Sequence, residues 1–342
     1  MSEDFARYAK QVRFAPIGLD GQRRLRDASV GVVGCGALGA LIAEQLCRAG
    51  VGTLRLVDRD FVERSNLQRQ VLYTEQDAAE RLPKAVAAAN RLAAVNGEVA
   101  IEPHVSDLTA DNAESLSRSL DLVVDGTDNL ETRYLLNEVC MDLSTPWVYG
   151  GCLGAAGQAM LVAPPRTPCL RCLFPEPPPT DAVETCDSAG VIGPAAHAVA
   201  SIQSAIALQA VTGGSEAVPN RLAVVDLWDL TLRSVSLPSG GDCETCRGER
   251  PYRSGAATRD SAVLCGRNAV QLTPPAGEAV SLDTLAERFR GGGRVEANRF
   301  LLRWEPDGEA VTFTVFRDGR TVVHGTDDPA VARSAYSRLI GN

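Results

Sequence analysis

Long apolar runs, positive charge and lysine are all scarce in this chain of 342 residues, and each shortage excludes something. No stretch of about 18 apolar residues occurs. The best candidate, residues 30–43, is short and broken by four glycines, so no membrane-crossing helix is expected. The opening residues, Met-Ser-Glu-Asp-Phe-Ala-Arg, lack the basic-then-apolar order of a secretory leader. The ten cysteines are therefore not read as a secreted disulfide framework, and a soluble cytoplasmic protein is expected. The first 246 residues hold 20 basic and 31 acidic groups, and the remainder 14 and 12. Neither part has the surplus that binding a phosphate backbone requires, so nucleic acid is disfavoured as a partner. Only two of the 34 basic residues are lysines, Lys10 and Lys84. A lysine that resists such an arginine bias is a candidate for a lysine-specific task.

What is present reads as globular, with 45% hydrophobic and 23% charged residues and a length of roughly two domains. Segments 28–34, 53–58, 99–105 and 120–125 are short apolar runs of strand type, and 38–49 and 84–96 read as helices. This alternation predicts an α/β fold: a doubly wound, Rossmann-like, mostly parallel sheet with right-handed crossovers. The proline-rich segment 164–180 reads as a loop leaving the sheet, 197–212 as a buried helix, and 222–237 as two strands parted at Asp229. Residues 1–246 are expected to form the main domain and 247–261 a polar linker. Residues 262–342 should form a small α+β domain: a strand, a helix from Ser281, two or three strands, and a helix from Asp328.

Gly34-Cys35-Gly36-Ala37-Leu38-Gly39 lies between a predicted strand and helix. There a G-x-G-x-x-G fingerprint lets the backbone approach a phosphate at a helix N-terminus. Asp58 closes the second strand about 20 residues on, placed to accept the ribose hydroxyls. By themselves these features fit a dinucleotide-dependent dehydrogenase equally well. The residues downstream point elsewhere. Asn66 and Arg69 stand three apart, on one face if the segment is helical, Lys84 opens a helix, and Asp125-Gly126-Thr127-Asp128-Asn129 ends a strand. In an open α/β sheet such strand ends converge on one crevice, and this density of Arg, Lys, Asn and Asp suits a triphosphate with Mg²⁺. Cys169-x-x-Cys172 and Cys243-x-x-Cys246, separated by 70 residues, suit a tetrahedral structural Zn²⁺. A redox dithiol and disulfides are the competing readings, the latter disfavoured in the cytoplasm.

Arg7-Tyr8-Ala9-Lys10-Gln11, Gly21-Gln22, the fingerprint, Ser65-Asn66-Leu67-Gln68-Arg69-Gln70, Pro83-Lys84 and Asp125-Gly126-Thr127-Asp128-Asn129 fall in the order of a known family. Over about residues 5–246 the chain resembles the bacterial adenylyltransferases of molybdopterin-synthase and thiamine biosynthesis, relatives of the ubiquitin-activating enzymes. The resemblance implies a homodimer that uses ATP to adenylate the C-terminal Gly-Gly carboxylate of a ubiquitin-like sulfur-carrier protein. It also implies Asp58 on the ribose, Asn66, Arg69 and Lys84 on the phosphates, Asp128 on Mg²⁺, and Zn²⁺ on the four cysteines. The scarcity of histidine, three in the chain, agrees with this chemistry. A terminal carboxylate with a pKa of about 3.5 is already ionised and needs no base.

One position departs from the family pattern. Lys10 stands where the family usually has an arginine, contributed across the dimer to the partner's phosphates; lysine keeps the charge and loses the bidentate fork. Cys186 falls where the family carries a cysteine, which in its thiazole branch joins the carrier through sulfur. It is expected to be either a mobile thiol or a packing residue, Cys265 being the alternative thiol. If neither reacts, a separate sulfurtransferase receives the adenylate. For the C-terminal domain, docking of the carrier or a partner is expected. Two further readings stand beside the leading one. A tRNA-modifying dehydratase relative is disfavoured by the acidic balance and the complete four-cysteine pattern. A non-catalytic scaffold subunit is disfavoured by the presence of Arg69, Lys84 and Asp128.

Overall fold

Valine-rich segments that bury both faces must pair every backbone amide with a neighbour, and a parallel sheet covered by helices does this. The computed structural model describes residues 3–177, 189–256, 261–264, 268–272 and 280–340. Its first sheet contains β1 (Ser29–Val33), β2 (Thr53–Asp58), β3 (Ala100–Val105), β4 (Leu122–Asp125), β5 (Trp147–Leu153), β6 (Ala156–Val162), β7 (Arg221–Asp226) and β8 (Thr231–Ser236). The strand order is β3-β2-β1-β4-β5-β6-β7-β8. Pairing is parallel from β3 to β5 and antiparallel from β5 to β8. The direction of winding reverses between β1 and β4, the switch point at which α/β sheets bind ligands.

The helices are α1 (Ala9–Val12), α2 (Gly18–Asp27), α3 (Gly39–Ala49), α4 (Glu75–Ala79), α5 (Lys84–Val95), α6 (Ala113–Ser117), α7 (Leu130–Asp142), α8 (Leu170–Leu173) and α9 (Gly193–Gly213). Side chains alternate along the strands, so Val30 and Val32 join one core and Val33 the other. On the first face Leu25 of α2, Ile42 and Leu46 of α3, Leu92 of α5 and Val199 of α9 pack against the sheet. On the second, Leu135, Leu136 and Val139 of α7 cover Val57, Val123 and Trp147. The α9 helix contains no Asp, Glu, Lys or Arg and buries one side from Gly193 to Thr212, as its composition predicts. Among the described residues no helix is long and apolar enough to cross a membrane.

The chain divides into two compact units, Met1–Ala257 and Thr258–Asn342. The stretch from 248 to 256, expected as linker, packs on the first unit. Tyr252 stacks on Tyr134 with centroids 5.2 Å apart, and the Tyr252 and Arg253 N–H groups donate to one Glu138 oxygen at 3.0 and 2.9 Å. Its polar composition hides this attachment because, apart from the buried Tyr252, it is made through a carboxylate. The second unit contains β9 (Ser261–Leu264), β10 (Ala269–Leu272), α10 (Leu282–Phe289), β11 (Gly293–Ala297), β12 (Leu301–Pro306), β13 (Thr312–Phe316), β14 (Thr321–His324) and α11 (Pro329–Leu339). Four strands, rather than two or three, lie between its two helices. They belong to an antiparallel sheet ordered β11-β12-β13-β14-β10-β9, whose core stacks Trp304 between Phe289 and Phe313.

Candidate functional site

At the carboxyl edge of β1, β2 and β4 the N-termini of α3, α5 and α7 gather, and their positive dipole ends favour an anion. The glycines of the fingerprint divide the work between them. A Cβ on Gly39 would lie 1.7 Å from the Gly34 carbonyl oxygen, and one on Gly34, whose φ is +84°, would lie 2.8 Å from Gly126. These glycines let the fingerprint, α3 and the end of β4 close on one another. Gly36 is different: a Cβ there would meet nothing nearer than 3.9 Å, so its bareness serves no internal packing. The Cys35 thiol beside it is buried, and burial raises its pKa well above the ordinary value.

Asp58, at the end of β2, accepts the Cys35 N–H at 2.6 Å on one oxygen and the Asp60 N–H at 2.7 Å on the other. Burial raises its pKa, and the Lys84 charge opposes the rise. Lys84 begins α5 and is 4% exposed, with Nζ 3.0 Å from Asp60 Oδ2. Tyr73 Oη donates to the carbonyls of Cys35 and Lys84, at 2.6 and 3.3 Å, and so ties the fingerprint to α5. Asp60 and Tyr73 were missed from the sequence. The Asp58-Arg59-Asp60 spacing was an available signal for the first; nothing local marks the second.

Asn66 ends a short 3₁₀ turn, Arg64–Asn66, and its Oδ1 accepts the Glu63 N–H at 2.9 Å. The turn continues through the Arg69 N–H, which donates to the Asn66 carbonyl, so the two residues share a helical stretch. Arg69 donates to the Ser65 carbonyl at 2.9 Å, and His197 of α9 contacts the Arg69 carbonyl at 3.0 Å. Asp125 is fully buried and paired with Arg133 of α7 at 3.0 Å; burial raises its pKa and Arg133 counters the rise. That pair holds the Thr127 turn, beyond which Asp128 stands exposed within electrostatic reach of Arg59 and Arg133. Asn129 caps α7 through the Glu131 N–H at 2.9 Å. Arg133 carries no sequence signal of this role, because a lone arginine reads as a surface charge.

Lys10 is not brought to this crevice. It is exposed on α1, and its neighbour Gln11 donates to the Ala49 carbonyl at the C-terminal end of α3. That end lies one helix length, roughly 16 Å at 1.5 Å per residue, from the fingerprint. Cys186 and Cys265 lie outside the described residues.

The four cysteines do meet. Their sulfurs lie within 4.8 Å of one another, with Cys169–Cys172 at 3.7 Å, Cys169–Cys243 at 3.4 Å and Cys172–Cys246 at 3.6 Å. Sulfurs placed about 2.3 Å from a central Zn²⁺ would form a tetrahedron with edges of about 3.8 Å, so the donor set fits that ion. Against burial, the Gly241 backbone N–H helps draw the Cys172 thiol down to about 7. Arg171 and Glu244, paired at 2.7 Å, clamp the two knuckles together, and the Leu170 N–H donates to Asn137 of α7.

Fold and crevice together define a nucleotide-binding α/β protein of the doubly wound class. Residues 8–245 match the ThiF family, and the chain belongs to it. It is 42% identical over 340 residues to the sulfur carrier protein ThiS adenylyltransferase of Bacillus subtilis, covering 98% of this chain and 99% of that one. The sulfur carrier protein adenylyltransferase of Thermus thermophilus is 40% identical over 256 residues, 73% of this chain and 94% of that protein. Among solved structures, Escherichia coli MccB with ATP superposes at a TM-score of 0.61 and 19% identity, over 71% of this chain and 75% of that one, a likeness of fold.

Proposed function

We propose that the chain is an ATP-dependent adenylyltransferase that activates the C-terminal carboxylate of a ubiquitin-like sulfur-carrier protein. The observation that carries this reading is the crevice of helix N-termini, Lys84 and Asp128 in a chain 42% identical, end to end, to a relative named for that activity. Asp58 would accept the ribose hydroxyls, and Gly34 and Gly39 would shape the turn so that Gly36 admits the phosphates. Lys84, Arg69 and Asn66 would hold the phosphates, and Asp128 would ligate the Mg²⁺ that accompanies ATP. The carrier carboxylate is already charged, so an oxygen of it attacks the α-phosphorus directly. The bond from that phosphorus to the β-phosphate oxygen breaks and pyrophosphate leaves. Catalysis then rests on in-line placement and on neutralising the leaving group.

Lys10 supports a homodimer in this reading. It lies a helix length from its own crevice, so it would reach phosphates only in another subunit. Zn²⁺ on Cys169, Cys172, Cys243 and Cys246 would be structural and take no part in adenylation. Transfer of sulfur is a separate step, so Cys186→Ser should leave adenylation unchanged.

Carrier-dependent exchange of labelled pyrophosphate into ATP tests the reading, with the small Gly-Gly-ending partner identified by co-purification. Asp128→Ala should abolish exchange with thermal stability unchanged, since the side chain is exposed. Wild-type protein that binds NADH and shows no exchange would overturn the proposal in favour of a dehydrogenase.

A further inference from the structure

Lys84 presents a physical problem before any nucleotide arrives: a nearly buried ammonium group is unstable without a nearby anion. Two carboxylates face it. Asp58 accepts a backbone N–H on each oxygen, from Cys35 and Asp60, and acts on Lys84 through its charge. Asp60 makes the direct contact at 3.0 Å. Among the described groups, the buried Cys35 thiol and Tyr73, with its hydroxyl on the Lys84 carbonyl, also neighbour the lysine, while Arg59 pairs with Asp107 at 2.8 Å and lies 4.0 Å from Asp60.

The backbone around Asp60 is held independently of its side chain. Its carbonyl accepts the Lys84 N–H at 2.8 Å, its N–H donates to Asp58, Phe61 bridges Pro83, and the Val62 N–H donates to the Leu82 carbonyl at 2.8 Å. Segments 60–62 and 82–84 thus form a short antiparallel ladder that an isosteric change at Asp60 leaves in place. What the carboxylate adds is the charge and the position of Nζ.

We propose that Asp60 is a positioning residue for nucleotide binding: it keeps Lys84 protonated and aimed at the crevice until the phosphates of ATP take over as its anionic partner. The proposal rests on the reading of Lys84 as a phosphate contact. Exchange of one anion for another lets the lysine be buried in the free protein without an unpaired charge.

The test is calorimetric titration of the full-length protein with Mg·ATP alone, from pH 6 to pH 9, with a thermal melt of each variant. In wild type the affinity should be nearly flat across this range. In D60N the lysine loses its contact carboxylate, so its proton leaves more readily as pH rises. Affinity should therefore fall about threefold at pH 6 and tenfold or more at pH 9. D60N/K84R should bind without that slope, because arginine stays charged throughout. A D60N profile parallel to wild type would overturn the proposal. If D60N melts too low to titrate, the comparison moves to K84A against D60N/K84A, a pair that leaves no ammonium to orphan. Equal affinities there support action through Lys84, and a further loss in the double variant overturns it. Failure of the underlying reading looks different, since K84A itself would then bind Mg·ATP as wild type does.

Discussion

Single residues in the crevice separate into those that build it and those that leave room in it, and glycine shows the difference most sharply. Gly39→Ala drives a methyl group into the Gly34 carbonyl, a collision with backbone that no rotamer relieves. It should cost at least about 3 kcal/mol, the upper end of ordinary overpacking, and lower the melting temperature by several degrees. Gly36→Ala meets only ordinary van der Waals contacts, Gln70 at 3.9 Å and the Gly126 carbonyl at 4.0 Å, so its stability should stay within about 0.5 kcal/mol of wild type. On the proposed reading its methyl group would stand in the approach path of the phosphate, so its Mg·ATP affinity should fall at least tenfold. Thermal melts with parallel nucleotide titrations check both. Equal melting losses in the two variants would refute this division of labour. The sequence shows three glycines of equal rank in one motif; only the distances to Gly34 and Gly126 rank them.

Among the elements, α7 links the crevice to the cysteine centre. Its first turn, capped by Asn129, follows Asp128, and its Arg133 neutralises Asp125. Two turns on, Asn137 holds the α8 segment that carries Cys172, and Glu138 and Asp142 hold the stretch beyond Cys246. Four thiols in so small a space, with no mutual disulfide, fit a metal ion, and its binding would contribute to folding itself. Protein purified without chelator should contain about one Zn²⁺ per chain. Cys246→Ser, or removal of the metal by a strong chelator, should lower the melting temperature by more than 10 °C. Elemental analysis returning less than roughly a quarter of an equivalent would sink the assignment. The polar row on α7 also explains why the helix itself was not foreseen: buried Arg133, Asn137 and Glu138 break the apolar stripe that marks a core helix.

For the whole molecule, the two units carry separate cores, with the crevice and all four cysteines in the first. The Thermus thermophilus relative, matched over 94% of its own length, aligns to 73% of this chain. A chain ending at residue 256, which keeps the Glu138 clasp, should bind Mg·ATP within about threefold of the full-length protein by the same titration. A loss beyond tenfold would show that the second unit contributes to the site. The sequence by itself determined the doubly wound α/β class, the fingerprint, the carboxylate at the end of β2 and the pairing of two cysteine knuckles. Each of these is written in local order, as a hydrophobic period, a glycine spacing or a C-x-x-C, and local order survives in one dimension. Tertiary structure alone decided that Asp60 faces Lys84, that Arg133 neutralises Asp125, that the polar stretch beyond Cys246 is clasped by Glu138, and that Lys10 lies away from its own crevice. Those are contacts between charged groups distant in sequence or hidden in a helix, and a charge carries no periodicity to reveal which partner it will meet once water is excluded.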